Sequence, residues 1–339
     1  MVKRPTIQDL ARAAGVSVAT VDRVLNRRLP VREDTALRVV EAAERIGFHA
    51  TGLLRQRVSE KPRRTFGFLL QKKDHEFYRN FAAALTAATR QADTVQCRCI
   101  IDFIDEIIPA TIGQRIVEAA QKCDGLAVVA VDHPLVNEAI AKAGKPVVTL
   151  LSDVAAPERK AYISADSRRC GRTAGWAITR LARRTGKIGI MLGSHRYLSQ
   201  ELAESSFRSY VREHAADFQL LEPIVNLEDS RISYEAAVNM IASNPDLVGI
   251  YVAGGGPEGV MAALRDERAG DRIVTVCNEL TSFTRAGLID GTLDVVLNTP
   301  IVDISHAAVD ILARATLGES WDMVRSLQFP AEMIISESL

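Results

Sequence analysis

Residues 6–26, TIQDLARAAGVSVATVDRVLN, decide how the first part of the chain folds. Thr6 offers a hydroxyl ahead of a helical run and Asp9 follows three positions later, the pattern of a helix start. Ile7, Leu10, Ala11 and Ala14 recur at helical spacing, and Gly15 stops the run. Ser17 then caps a second helix, in which Val18, Val21 and Leu25 keep a period of three to four residues. The two helices meet at a tight turn, Gly15-Val16. The second one offers small side chains, Val18 and Ala19, at its N-terminal end, where a backbone can approach base edges. Arg23, one turn on, can reach a guanine edge or a phosphate. The Ser17 and Thr20 hydroxyls, with the free N–H groups of that helix start, can hold a phosphate. Ordinary packing of a helix pair is the plainer reading of the same spacing.

Outward from this stretch, Asn26 to Pro30 reads as a polar loop. A third helix runs from about Arg32 to Ile46, with Ala36, Val39, Ala43 and Ile46 on one side and Gly47 as its stop. The expected head is 1–47, followed by a basic connector, 48–64, containing Gly52 and Pro62. Residues 1–64 hold fourteen Lys or Arg against seven Asp or Glu, a net charge of +7 that the remainder balances to zero. A basic module on an acidic body suits a polyanionic partner, and a solvated charged face explains the same count equally well.

The whole chain has 339 residues, 47% hydrophobic and 25% charged, which fits a globular protein of two or three units and excludes a disordered or collagen-like one. No apolar run reaches the length of a membrane span. The N-terminus is basic without a following apolar stretch, so a cytoplasmic location is expected. Five cysteines form neither a disulfide framework nor a zinc set; Cys97 and Cys99 alternate as on one face of a strand.

Beyond Arg63 the period changes. Short apolar runs, Phe66–Leu70, Val95–Phe103, Leu126–Val131, Val147–Leu151, Ile188–Leu192, Gly249–Val252, Ile273–Val276 and Val295–Leu297, alternate with helical segments. Such strands imply parallel sheets covered on both faces. Eight or more units in about 270 residues suit two α/β subdomains better than one doubly wound domain. The expected fold class is α/β: a small all-α head, then two parallel-sheet subdomains, 65–165 with 299–323 and 166–298 with 324–339. A ligand would lie between them, outside the carboxyl ends of the strands.

The head strongly resembles the DNA-binding head of the lactose-repressor (LacI) family of bacterial transcription regulators. Thr6, Asp9, Ala11, Ala14-Gly15-Val16-Ser17, Thr20-Val21 and Arg23-Val24-Leu25-Asn26 stand where that family has them, and Gly47-Phe48 stands where its third helix ends. The body resembles the family's effector domain, itself similar to periplasmic sugar-binding proteins. The resemblance implies a homodimer on a pseudo-palindromic operator, a repressor controlled allosterically by a small effector, a sugar, polyol or sugar derivative, in the interdomain cleft. It implies DNA contacts from Thr6, Ser17, Val18, Ala19, Thr20, Arg23 and Asn26. No acidic or leucine-heptad tail is seen, so a dimer is expected rather than a larger bundle. No cofactor is implied.

The chain departs from the family in places. Asp22 occupies a position usually held by Ser, where an acid would repel phosphate or accept from cytosine N4. In the connector, Ala50-Thr51 and Arg57 replace Pro-Asn and a leucine wedge. Arg57 can read a narrow minor groove or simply bind phosphate.

In the cleft, hydroxyl-binding polar groups and an aromatic face are needed. His75-Glu76-Phe77-Tyr78 resembles the Asn-Pro-Phe-Phe run of ribose-type binding proteins, which points to His75 with Phe77 or Tyr78. Asp132 and Asp153 end strands at the cleft, where each can equally be a helix cap. Asn278-Glu279 matches an acidic hydroxyl acceptor of the family, and Asn298 a further contact. The family's Arg four residues before an aromatic is missing: Ala203 precedes Phe207, and Arg196 is a substitute from the loop. Gly254-Gly255-Gly256 replaces an Asn-Asp pair, as a phosphate cradle or a flexible loop.

An enzyme reading remains. Gly254–Gly259 formally satisfies GxGxxG, follows a strand and opens a helix, with Glu279 twenty residues on, as in a NAD-dependent oxidoreductase. Pro257 removes a donor, and the six histidines (His49, His75, His133, His195, His214, His306) show no catalytic or metal-ligand spacing. A sugar-binding transport component would share the body but needs a signal peptide where the head stands.

Overall fold

Helix α1 (Ile7–Ala14) begins on a reciprocal cap: Asp9 donates its N–H to Thr6 Oγ1 at 3.3 Å, and Thr6 donates its own to Asp9 Oδ2 at 2.9 Å. These bonds satisfy two of the donors a helix start leaves open. Gly15 ends α1 in the left-handed region, at φ 67°, which glycine adopts without a Cβ penalty. Helix α2 (Val18–Asn26) starts on Ser17, whose Oγ accepts the Thr20 N–H at 3.1 Å. Helix α3 (Glu33–Arg45) sends Arg38 and Arg45 back to the Ala14 and Ala13 carbonyls, so these two cations cap α1.

This computed structural model describes residues 4–26, 31–52, 54, 61–319, 321 and 323–339, with the side chain of residue 33 left aside. The chain divides into two units, Met1–Arg63 with Asp93–Gln96, and Arg64–Ala92 with Cys97–Leu339. The core of the first is Leu10, Ala11, Ala14, Val21, Val24, Val39, Val40, Ala42 and Ala43, together with Phe48 and Leu54. Val18 is exposed, as a base-facing position requires, and Val24 takes the inward place given to Leu25. Phe48 and Leu54 also carry the head's core past Gly47.

The second unit holds two sheets. The first comprises β1 (Arg63–Gln71), β2 (Gln96–Ile104), β3 (Gly125–Val128), β4 (Val147–Leu150), β5 (Ala161–Ala165) and β12 (Arg325–Phe329), in the order β12-β5-β4-β3-β1-β2. The second comprises β6 (Lys187–Leu192), β7 (Gln219–Leu220), β8 (Ile224–Val225), β9 (Leu247–Val252), β10 (Val274–Cys277), β11 (Val295–Asn298) and β13 (Glu332–Ile334). Its order is β13-β11-β10-β9-β6-β7, with β8 also on β6. Strands β3, β4, β9 and β10 are buried throughout, as continuous apolar runs covered on both faces require.

Helices α4 (Glu76–Arg90), α5 (Pro109–Ala120) and α6 (Pro134–Lys142) belong to the first sheet. Helices α7 (Ser167–Leu181), α8 (Leu198–His214), α9 (Ser230–Ser243), α10 (Pro257–Asp266) and α11 (Ser282–Asp290) belong to the second. The chain crosses from the first subdomain between β5 and α7. It returns between β11 and α12 (Ile301–Thr316), which packs on β3, β4, β5 and α4. The final crossing differs from the expected boundary at residue 324. Arg325–Phe329 pairs in parallel with Ala161–Ala165, so this segment belongs to the first subdomain and only β13 returns to the second. The strand at Ala161–Ala165, with a tyrosine and a serine inside it, was not among the expected strands.

Helices α7 and α8 pack closely because Gly171 has no side chain: a Cβ there would lie 2.0 Å from the Ala203 carbonyl oxygen. Gly171→Ala is therefore expected to destabilise the second unit by about 1–3 kcal/mol, read as a lower urea midpoint. An unchanged midpoint would show that the helices separate freely.

Candidate functional site

On the head, α2 buries Val21 and Val24 and turns Ser17, Val18, Ala19, Arg23 and Asn26 outward, with Thr20 half-buried. The Ser17 and Thr20 hydroxyls lie 2.9 Å apart, so both are already engaged at the helix start. Thr6 is exposed, and its side chain serves the α1 cap. Asn26 donates to Asp22 Oδ1 at 2.6 Å, which ties the unusual acid to its own helix. The outward strip thus offers an apolar methyl pair, a small residue, hydroxyls and one guanidinium, a set able to contact thymine methyls, phosphates and a guanine edge. Arg57 lies outside the described residues.

In the second unit, a cavity of about 680 Å³, counting the open space of its mouth, lies at the carboxyl ends of both sheets. Phe77 and Tyr78 follow β1, Val129 follows β3, Ser152 follows β4, and Ser164, Ala165 and Ser167 close β5. From the second subdomain come Tyr197, Ser199 and Gln200 on α8 or just before it, Glu228 after β8, Gly254 after β9, Asn278 and Glu279 after β10, and Thr299 after β11. This is the position at which open α/β sheets bind ligands.

Glu228 is 4% exposed and is held from several sides. Gln200 donates Nε2 to Glu228 Oε1 at 2.9 Å, while its own Oε1 accepts the Gly193 N–H at 2.7 Å, which fixes the amide's orientation. Asn226 Oδ1 accepts the Glu228 N–H, and Lys72 donates to the Leu227 and Glu228 carbonyls from across the cleft. Leu227 and Glu228 both sit in the left-handed region, at φ 54° and 53°, a strained backbone that these bonds sustain. Burial pushes the Glu228 carboxyl up, opposed by Lys72, Gln200 and the Gly255 amide. Glu228 Oε2 and the Tyr197 hydroxyl, on a residue 2% exposed, are buried with no hydrogen-bond partner among the described residues. Each such atom costs free energy until something pairs with it.

Glu279 is held well above the usual carboxyl range by burial and then by Glu228 and Glu258. Further contacts hold the two subdomains together across the cleft: Ser282 donates its N–H and hydroxyl to Glu76, at 2.7 and 2.5 Å.

Of the residues expected here, Phe77, Tyr78 and Glu279 line the cavity, and both aromatics of the β1 run do so rather than one. Six others do not. His75 stands at the start of α4 beside Tyr78, its pKa lowered by burial and by Lys72. Asp132 accepts from Asn137 and from the Ala155 N–H, acting as a loop clamp. Asp153 forms a two-pronged pair with Arg159 and accepts the Thr149 hydroxyl. Arg196 is exposed. Phe207 is fully buried and stacks on Tyr251 with centroids 5.2 Å apart. Asn298 belongs to β11, and its neighbour Thr299 lines the cavity instead. Tyr197, Gln200 and Glu228 were missed: none ends a long apolar strand, and β8 is two residues long.

The glycine run is neither a loose loop nor an open cradle. Gly254, Gly255 and Gly256 are buried, and a Cβ at Gly254 or Gly255 would meet Gln200 at 2.7 Å or Glu228 at 2.9 Å. A Cβ at Gly193 would meet the same glutamate at 2.4 Å. A carboxylate thus occupies the ground a pyrophosphate would need in a dinucleotide site. Among the described residues, no group of three His, Cys, Asp or Glu could hold a metal ion, and no helix is long and apolar enough to cross a membrane.

The raised Glu279 pKa sets a pH dependence. The folded protein keeps a proton that the unfolded chain releases near 4.5, so folding stability falls as pH climbs above that value. Glu279→Gln is expected to raise the thermal midpoint of the ligand-free protein at about pH 7 and to leave it unchanged at about pH 4. Equal shifts at both values would mean that charge is not the cause.

Residues 66–320 match the family described as periplasmic binding protein domain, and residues 6–50 match the bacterial regulatory proteins of the lacI family. The HTH-type transcriptional regulator RegA of Clostridium saccharobutylicum is 40% identical over 73 residues, 22% of either chain. Catabolite control protein A of Priestia megaterium is 36% identical over 80 residues, 24% of either chain. These alignments therefore span under a quarter of the curated relatives' length. Among solved structures, the glucose-galactose binding protein GanP of Geobacillus stearothermophilus has a TM-score of 0.70 at 20% identity, over 81% of this chain and 99% of that one. A solute binding protein of an Agrobacterium vitis ABC transporter, bound with α-D-tagatopyranose, has a TM-score of 0.73 at 17% identity, over 80% and 95%. The chain belongs to the periplasmic binding protein domain family through most of its length, and carries at its N-terminal end a head of the lacI family of bacterial regulatory proteins.

Proposed function

We propose that this protein is a sequence-specific DNA-binding transcriptional regulator, a repressor, whose operator binding is controlled by a small hydroxylated ligand in the cleft. The observation that carries the reading is the α2 surface: a capped helix start with Val18, Ala19 and Arg23 exposed together on a module whose core is complete beneath them. The cleft adds the ligand, since the Tyr197 hydroxyl and Glu228 Oε2 are buried atoms whose hydrogen-bonding capacity a ligand hydroxyl can meet. The solved structures with bound sugars that share the body's fold support the same ligand class.

Control follows from the cleft's two walls. Lys72 reaches from the first subdomain to the carbonyls of Leu227 and Glu228, and Glu76 reaches to Ser282, so closure and ligand occupancy draw on the same residues. A ligand that touches both walls favours the closed form by its differential affinity for that form. If closure alters operator affinity, operator DNA must alter ligand affinity by the same factor. One reading helix spans only part of a major groove, which supports a homodimer on two half-sites about one DNA turn apart. The dinucleotide alternative has no support from the glycine run, which packs against Glu228 and Gln200. The residues proposed for DNA contact are Ser17, Val18, Ala19, Thr20, Arg23 and Asn26, and those proposed for ligand contact are Phe77, Tyr78, Tyr197, Glu228, Asn278 and Glu279.

Selection of bound sequences from random duplex DNA by the full chain, with and without a pool of sugars and polyols, tests the reading. Enrichment of a palindrome whose retention changes with the pool is expected, and failure to enrich any sequence under either condition would overturn it. Arg23→Ala is expected to cost about 1–3 kcal/mol on the selected site and much less on random DNA. Equal losses on both would make Arg23 a phosphate contact alone.

A further inference from the structure

The cavity wall carries acidic groups without matching bases. Glu228 and Glu279 both line it, and among the described residues no lysine, arginine or histidine does. Among the described residues, the Glu279 carboxylate has no hydrogen bond or ion pair, and every influence on its ionisation opposes the charged form. Glu258, at the start of α10 and itself pushed up by burial, adds a third carboxylate near Glu279. Lys72 offsets Glu228, but its ammonium group is engaged by the Leu227 and Glu228 carbonyls. Arg159 is spent on Asp153, and Arg196 is exposed.

Other features of the wall point the same way. Phe77, Tyr78 and Tyr197 stand around the cavity, with Phe77 and Tyr78 edge to face at 5.2 Å. Aromatic rings beside two acidic groups are the chemistry that holds an ammonium group. Glu228 Oε2 and the Tyr197 hydroxyl, on two residues that line the cavity, are buried without a hydrogen-bond partner among the described residues, one an acceptor and one a donor–acceptor. Ser152, Ser164, Ser167, Ser199, Asn278 and Thr299 supply neutral partners for hydroxyls. A phosphate or carboxylate on the ligand would meet two acidic groups, with no basic side chain among the described residues lining the cavity beside them.

We propose that the ligand is cationic: a hydroxylated ring bearing an amino group, such as an amino sugar or aminocyclitol, with its ammonium group between Glu279 and Glu228. The proposal rests on the reading of the cleft as the ligand site and narrows the ligand class within it. Its electrostatic logic is that the ligand brings the countercharge the wall lacks. An ammonium group draws the proton off Glu279 and pairs with the carboxylate that results, whereas a neutral sugar leaves that proton in place.

The test is calorimetry on the full chain with matched pairs: glucose with glucosamine, galactose with galactosamine, mannose with mannosamine, and inositol with inosamine, alongside the corresponding sugar phosphates. At least one amino member is expected to bind about tenfold or more tightly than its neutral partner. Glu279→Gln is expected to remove that preference, and so is Glu228→Gln, which is read in its place should the first variant fail to fold. A neutral member that binds as well as its amino partner, or any phosphate that binds, overturns the cationic ligand while leaving ligand control of the operator intact. If no member of any pair binds, the cationic ligand falls. If operator binding by the same preparation also ignores the whole panel, the reading of the cleft as an effector site falls with it.

Discussion

The burial of the Glu228 carboxylate is the constraint around which the cleft is arranged. A carboxylate loses most of its hydration there, so it persists only where dipoles and charge replace water. Gln200, the Gly255 amide and Lys72 provide that replacement, and Gln200 can do so because Gly193 and Ser194 donate to its other end. Three glycines make the room: Gly193, Gly254 and Gly255 each face Glu228 or Gln200 at distances no Cβ could share. A side chain at Gly193 or Gly255 would push the glutamate out of place, and one at Gly254 would push Gln200. The strained backbone at Leu227 and Glu228 belongs to the same arrangement, since Lys72 holds both carbonyls from the opposite wall.

That arrangement connects the two subdomains. Lys72 follows β1 of the first sheet, whereas Leu227 and Glu228 follow β8 of the second, so the group that steadies the buried acid is also a clasp between the walls. Glu76 and Ser282 form a second clasp a few residues along. A ligand touching Glu228 and Glu279 therefore acts where the two subdomains are already bound to each other. Differential contact at such a place is what a conformational equilibrium responds to.

Legibility varied with the range of the interactions. The head was readable because its signals are local: a hydroxyl and an acid three apart make the α1 cap, a glycine makes the turn, and a serine starts α2. The long apolar strands were readable because burial on both faces removes polar residues from them. Strand β5 hid because its five buried residues include Tyr162 and Ser164, and β12 because its exposure alternates along the strand. In the cleft, Phe77, Tyr78 and Glu279 follow recognisable strands. Asp132 and Asp153 do so too, yet their carboxylates turn to loop amides, a threonine hydroxyl and an arginine, an outcome that depends on neighbours far along the chain. Phe207 was misplaced because a helical aromatic reads the same whether it faces a cleft or stacks on a buried tyrosine.

By itself, then, the sequence determined the small helical head, its outward Val18, Ala19 and Arg23, and the alternation of apolar strand and helix, since periodicity and capping act over a few residues. Tertiary structure alone decided which acids line the cavity and which close loops, because that choice depends on what lies within a few ångströms across the fold. It also decided that Gly254 and Gly255 make room for a buried glutamate. A glycine run looks the same on paper whether its missing side chains admit a phosphate, allow movement, or let another side chain approach, and only the approach of Glu228 and Gln200 separates these.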